Sequence, residues 1–225
     1  MRRFDVLQEQ GDTFLYIGPS QSISQSFTPH KNNLSSIRFS VFNHKLGGAG
    51  QYELRVLDES LQEVRKEIIT ESNLGWAQTF RYDFSPLPDS LGKLYTFEIS
   101  YLGKNQEAEI YLSQINKDML GMKVLFTSSD KAETYRNDFM KISYAKEDEY
   151  PNGNAFINGE SVPGDLKFQT YYSTSPQGFL IDSLTDFSKR VTFDKPFVLT
   201  FIFLLSTLTF ILFMRLFLKR YSSRS

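Results

Sequence analysis

The chain contains no cysteine, a single tryptophan and only two histidines among its 225 residues. Without cysteine there are no disulfides, no thiolate zinc ligands and no thiol chemistry. The two histidines, His30 and His44, stand apart beside predicted turns. No metalloprotease H-E-x-x-H, nucleophile-elbow G-x-S-x-G, P-loop or dinucleotide-binding glycine motif occurs. Gly47-Gly48-Ala49-Gly50 joins two predicted strands, so it lacks the helix N-terminus that phosphate binding needs. The acids at Asp58-Glu59 and Glu147-Asp148-Glu149 are adjacent in hydrophilic loops. Acid–base work instead needs two carboxyls in a cleft that pushes their pKa values apart. A net charge of −1 creates no overall field toward nucleic acid or an anionic surface. The expectation is a protein that is not an enzyme and does not bind nucleic acid.

What the chain does have is one long apolar run. Residues 197–214 read FVLTFIFLLSTLTFILFM without a charge, and Leu216, Phe217 and Leu218 extend the run past Arg215. At about 1.5 Å per residue this covers most of a bilayer core of roughly 30 Å. Ser206, Thr207 and Thr209 can bond back to helical carbonyls, and Pro196 stands where a missing N–H is tolerated. The expectation is a single transmembrane helix over 196–218, with the lipid bilayer as its partner, followed by a basic tail at 219–225.

Arg215, Lys219, Arg220 and Arg224 follow the run, against Lys189, Arg190 and Lys195 before it. That bias sets the C-terminus in the cytoplasm and the preceding domain outside. The N-terminus does not supply the apolar segment that an exported domain normally follows: Phe4-Asp5-Val6-Leu7-Gln8 is no signal-peptide core. Three readings stand: a fragment or processed form of a longer membrane protein, a tail-anchored protein with its domain in the cytoplasm, or export by another route.

Before the apolar run the periodicity is that of strands. Alternation of apolar and polar residues occurs at 37–41 (IRFSV), 52–56 (YELRV), 80–84 (FRYDF), 95–101 (YTFEISY), 107–112 (EAEIYL) and 166–172 (LKFQTYY). Segments 18–28 and 64–70 are further strand candidates. Turn clusters separate them, and Asn158-Gly159 is the dipeptide that a type I′ hairpin prefers. Aromatic residues make up 15% of the chain, a richness that suits a β core. About eight short strands at this spacing predict a mostly β fold, an antiparallel jelly-roll-like β-sandwich.

The predicted organisation is a lead segment at 1–15, the sandwich at 16–172, and a juxtamembrane linker at 173–195. Residues 119–151 read as an insertion between two sandwich strands, with a short helix at 130–140 and a potential recognition loop. The linker carries an amphipathic stretch around Phe179, Leu180, Ile181, Leu184 and Phe187 that suits either a membrane surface or the underside of the domain.

The order of segments resembles the jelly-roll, carbohydrate-binding-module-like domains of prokaryotic membrane and cell-surface proteins. The residues that carry the resemblance are Ser26-Phe27-Thr28-Pro29, Asn33-Leu34-Ser35-Ser36-Ile37 and Gly75-Trp76. To these add the turn-and-strand run from Phe84 through Pro86, Pro88, Asp89, Gly92 and Lys93 to Phe97, then Asn158-Gly159-Glu160 and Pro163-Gly164-Asp165-Leu166-Lys167-Phe168. The resemblance covers about residues 16–172. It implies a binding module that recognises glycan or positions a glycan-processing partner at the cell envelope. The alternative is a structural subunit that contacts another membrane protein.

In such modules an exposed aromatic ring stacks on a sugar face. Trp76 either does this or plugs the end of the core. Tyr101, Tyr111, Tyr144 and Tyr150 are alternative platforms, with Tyr171 among the surface tyrosines. Jelly-roll modules also often hold a structural calcium, for which Asp148, Glu149 and Asp165 are the acids to examine. No other cofactor is expected.

Overall fold

The computed structural model describes residues 1–43, 50–74, 77–103, 106–122, 139–148 and 150–222. It divides into two compact units, a β unit over Arg2–Ser173 and a helical unit over Thr174–Ser225 that also takes in Met1.

The β unit opens with β1 (Arg2–Gln8), β2 (Thr13–Ile17), β3 (Ser22–Phe27), β4 (Leu34–Phe42), β5 (Gln51–Leu57) and β6 (Glu63–Thr70). Then come β7 (Ala77–Leu87), β8 (Tyr95–Tyr101), helix α1 (Gln106–Met119) and β9 (Met140–Ala145). The unit closes with β10 (Ala155–Ile157), β11 (Glu160–Val162), β12 (Asp165–Leu166) and β13 (Phe168–Ser173). A seven-stranded sheet runs β1-β13-β4-β9-β12, with β2 beside β9 and β7 beside β4. A six-stranded sheet runs β11-β10-β3-β8-β5-β6. All pairings between these strands are antiparallel. The chain repeatedly crosses from one sheet to the other, as in a jelly roll.

The period-2 pattern is what closes the core. Ile37, Phe39 and Val41 of β4 and Phe168 of β13 face Ile23 and Phe27 of β3 and Phe97 and Ile99 of β8, all buried. Phe97 stacks on Phe39 at 5.9 Å and meets Phe168 at 5.5 Å, while Phe27 lies 5.8 Å from Phe168. These contacts tie the two sheets together, and each such ring pair adds about 0.5–1.5 kcal/mol beyond simple burial. The Asn158-Gly159 turn forms as expected: β10 pairs with β11, and both turn residues have positive φ, +52° and +82°.

Three expectations are corrected. Residues 107–112 are not a strand but the first half of α1. A six-residue window fits both periods. Over a longer span the buried positions Ala108, Leu112 and Ile115 recur every three or four residues, while Ile110 is 60% exposed. The buried face covers Tyr16 of β2.

Residues 1–15 are no lead segment, because β1 pairs with β13 and β2 with β9. A bulge between Phe4 and Leu7 breaks the alternation that would have shown β1. Residues 119–151 are not simply an insertion, since β9 lies inside the sheet with Met140, Ile142 and Tyr144 fully buried. Met140 begins a strand rather than ending a helix, and 130–138 lie outside the described residues.

The linker at 173–195 is mostly helical: α2 spans Pro176–Phe193. Ser175 caps it, its hydroxyl accepting from the Gly178 N–H at 3.0 Å, and Pro176 takes the first turn. Helix α3 follows over Lys195–Ser222.

Asp194 separates the two helices in a non-helical conformation, ψ +88°. Its N–H donates to the Arg190 carbonyl and its carboxylate accepts from the Phe197 N–H at 3.0 Å, so one residue ends α2 and starts α3. Pro196 forbids a continuous helix here, because its ring would clash with the carbonyl four residues back. The bend is large. In a straight helix Phe187 and Phe201 would stand about 21 Å apart along the axis, yet their ring centroids are 5.4 Å apart.

Within α3, Lys195–Arg215 is long and apolar enough to cross a membrane, and none of it is buried. Thr200, Thr207 and Thr209 donate to the carbonyls four residues back, so the helix itself satisfies their hydroxyls.

Candidate ligand-binding surfaces

The residues expected to form a ring platform are scattered. Trp76 and Glu149 lie outside the described residues. Tyr101, at the end of β8, is half-buried edge-on between Tyr52 and Phe139. Tyr111 sits on α1 and packs against the small cluster that covers Tyr16.

Tyr144 and Tyr150 are buried in the core, at 0% and 6% exposure. A ring with no open face cannot stack on a sugar, so both are corrected from platform to core. Burial, followed by the charges of Asp165 and Asp12, holds the Tyr144 hydroxyl well above the ordinary tyrosine range. Tyr150 places its ring edge-on to Phe168 at 5.4 Å.

The acids do not assemble either. Asp165 is fully buried and Asp148 is exposed. Asp165 Oδ1 accepts from the Gln25 side-chain amide and Oδ2 from the Tyr150 N–H, each at 2.8 Å. Gln25 in turn accepts from the Leu166 N–H at 2.8 Å. This carboxylate is a strut that joins β3, β12 and the Tyr150 segment. Among the described residues no group of three or more His, Asp or Glu side chains could hold a metal ion.

A different surface carries open rings. Strand register places Phe4, Tyr171, Ser36 and Asp83 in one row across β1, β13, β4 and β7. Leu7, Gln169, Arg38 and Arg81 form the next row. Both rows lie on the outer face, because the neighbours Phe168, Thr170, Ile37 and Phe39 point into the core.

Phe4 is 45% exposed and stands edge-on to Tyr171 with centroids 6.0 Å apart. The Arg38 guanidinium lies 4.6 Å from the Tyr171 ring centre, and the Tyr171 hydroxyl donates to the Gln169 side-chain Oε1 at 2.8 Å. At the far end Asp83 pairs with Arg2 at 2.7 Å and Arg81 at 3.0 Å. Partial burial pulls the Asp83 carboxyl upward, but the Ser36 hydroxyl and the guanidinium groups of Arg2 and Arg81 outweigh it, so it titrates below the usual range. The face combines two rings with three guanidinium groups. Rings of this kind can stack on a C–H face, and the Arg38 guanidinium, which unlike those of Arg2 and Arg81 is not engaged by Asp83, can donate hydrogen bonds to hydroxyl or carboxyl oxygens.

The outer face of the other sheet is built differently. Glu98, Arg55 and Lys66 are cross-strand neighbours on β8, β5 and β6. Arg55 pairs with Glu98 and, at 3.5 Å, with Glu53, and Lys66 also pairs with Glu53. These charges are spent on one another.

A groove of about 300 Å³ lies between the second half of α1 and the β10–β11 hairpin. Ser113, Lys117, Asn158 and Glu160 supply its polar lining, and Leu120 and Val162 its apolar part. No aromatic residue is among its described lining.

Sequence reasoning missed Phe4 because it lay in the supposed lead segment. The 168–172 alternation already assigns Tyr171 to the outer face, opposite Phe168, Thr170 and Tyr172. Only the pairing of β1 with β13 brings Phe4 beside it. No protein-family model matches the chain, and no curated protein matches it in sequence.

Proposed function

We propose that this protein is a membrane-anchored, non-catalytic binding module that recognises glycan, or positions a glycan-processing partner, at the cell envelope. The observation that carries the reading is the open outer face of the seven-stranded sheet, where Phe4, Tyr171 and Arg38 stand side by side. Stacking by the rings and donation by the guanidinium are the two interactions a sugar surface rewards. The anchor is α3, with the C-terminus in the cytoplasm and the sandwich outside.

The test is a glycan array probed with the full chain in detergent, alongside Tyr171→Ala and Phe4→Ala. Binding that both substitutions abolish, with the melting of the β unit retained, supports the reading. Binding that ignores both, or no glycan binding at all, sinks it. Protease protection on intact cells, with a tag after Ser225, checks orientation: the sandwich should be digested and the tag spared.

A second reading, a subunit that docks a protein partner, is favoured by the groove between α1 and the β10–β11 hairpin, whose mixed lining suits a protein side chain better than a sugar ring.

A further inference from the structure

Helix α2 presents an apolar stripe. At about 100° per residue, Leu180, Leu184, Phe187 and Val191 fall within roughly 60° of one another around the axis. All four are exposed, as is Ile181 beside them. The opposite side carries Asp182, Thr185, Asp186 and Lys189.

The stripe is oriented by the elbow at Asp194. Phe187 touches Phe197 and Phe201 of α3, with centroids 5.9 and 5.4 Å apart, and the Arg190 guanidinium lies 5.9 Å from the Phe197 ring centre. The stripe therefore lies on the inside of the bend, the side toward which α3 departs. If α3 runs through the bilayer, that side of α2 faces the hydrocarbon.

We infer that α2 is an in-plane interfacial helix, seated at the headgroup boundary of the same bilayer that α3 crosses. Its occupant is lipid, and the argument is continuity: the stripe and the apolar surface of α3 meet ring against ring at the Phe187–Phe197–Phe201 contact. The physical form fits a helix that lies on a membrane, one apolar stripe against one charged side. The inference rests on α3 as the membrane-spanning helix.

Because the chain has no cysteine, single cysteines can be introduced and labelled at chosen positions. The full chain is reconstituted in phosphatidylcholine vesicles with an environment-sensitive fluorophore at Leu180→Cys, Leu184→Cys, Thr185→Cys, Lys189→Cys or, in α3, Leu208→Cys. Quenching by iodide in water is compared with quenching by lipids that carry a quencher on the acyl chain.

The expected result is that labels at 180, 184 and 208 are quenched several-fold more by the lipid-borne quencher than labels at 185 and 189, with the reverse order for iodide. Labels at 180 and 184 as open to iodide as those at 185 and 189 overturn the inference, as does shielding of 180 and 184 from both quenchers, which would mean that protein covers the stripe. If the label at 208 escapes the lipid quencher, the spanning role of α3 fails and takes the inference with it. If 208 is in lipid and 180 and 184 are not, only the in-plane helix is lost.

Discussion

Phe97 and Phe203 are the same side chain in opposite circumstances. Phe97 is 2% exposed between two sheets, whereas Phe203 on α3 is 69% exposed. In the β unit each strand offers one apolar face, and two sheets exclude water from each other. In α3 every side is apolar, so no rotation hides the surface, and the helix bonds its own backbone and needs an apolar medium around it. Apolar residues are denser in α3 than in the β unit. Their patterning differs, period 2 against an unbroken run, and that decides whether the chain makes its own interior or borrows one.

The sharpest way to break this comparison is one substitution in both places. Phe97→Ala should destabilise the β unit by about 3–5 kcal/mol, seen as a large drop in its melting temperature by circular dichroism of the full chain in detergent. Phe203→Ala should leave that transition where it is. Equal losses would mean that the two units are not separate bodies.

Next in size, Leu205→Arg places a charge at the apolar helix centre, at about 2.5–3.5 kcal/mol. It should shift the protein from the alkali-resistant membrane fraction toward the extractable one, with the β transition unchanged. Asp165→Ala strands the Tyr150 N–H and removes one of the two acceptors of the Gln25 amide inside the core. The expected loss is about 1–3 kcal/mol, read by chemical denaturation.

Alkaline pH probes the same interior. Burial, and then the charge of Glu67, push the Tyr82 hydroxyl up to about 12, against about 10 in an unfolded chain. Between those values the unfolded chain has released a proton that the folded chain keeps. Tyr82 therefore contributes stability below pH about 10 that is lost as pH rises toward 12. Denaturation midpoints should fall over that window, less steeply in Tyr82→Phe. The smallest effect should come from the surface ladder: Glu53→Gln should change stability by about 0.2–1 kcal/mol and vanish in high salt.

The fold was legible wherever pattern and turn chemistry agreed. The 37–41, 52–56, 80–84 and 95–101 strands follow directly from alternation, and Asn158-Gly159 from the need for positive φ. The long apolar C-terminal helix follows from the length of its run. What misled were short windows and bulges. Six residues at 107–112 satisfy a helix and a strand alike, and the bulge in β1 hid an edge strand among polar residues. The platform was half-legible: Tyr171 faces outward by alternation, but its neighbour Phe4 is 167 residues away in the chain and arrives only through pairing. Tyr144 and Tyr150 read as surface tyrosines because burial of a tyrosine depends on the tertiary partners that shield it, which no local pattern encodes.

The pairing of Phe4 with Tyr171 also has a meaning in time. The first strand of the β unit to be made must wait for the last before its edge is covered. Such long-range closure is slow compared with local helix formation, and a waiting edge strand is open to wrong partners. The ribosome turns to α2 and α3 directly after β13. Completion of the sheet is therefore followed at once by emergence of the long apolar helix. A nascent chain whose sheet has not yet closed leaves both an unpaired β1 and an exposed apolar helix for chaperones to cover.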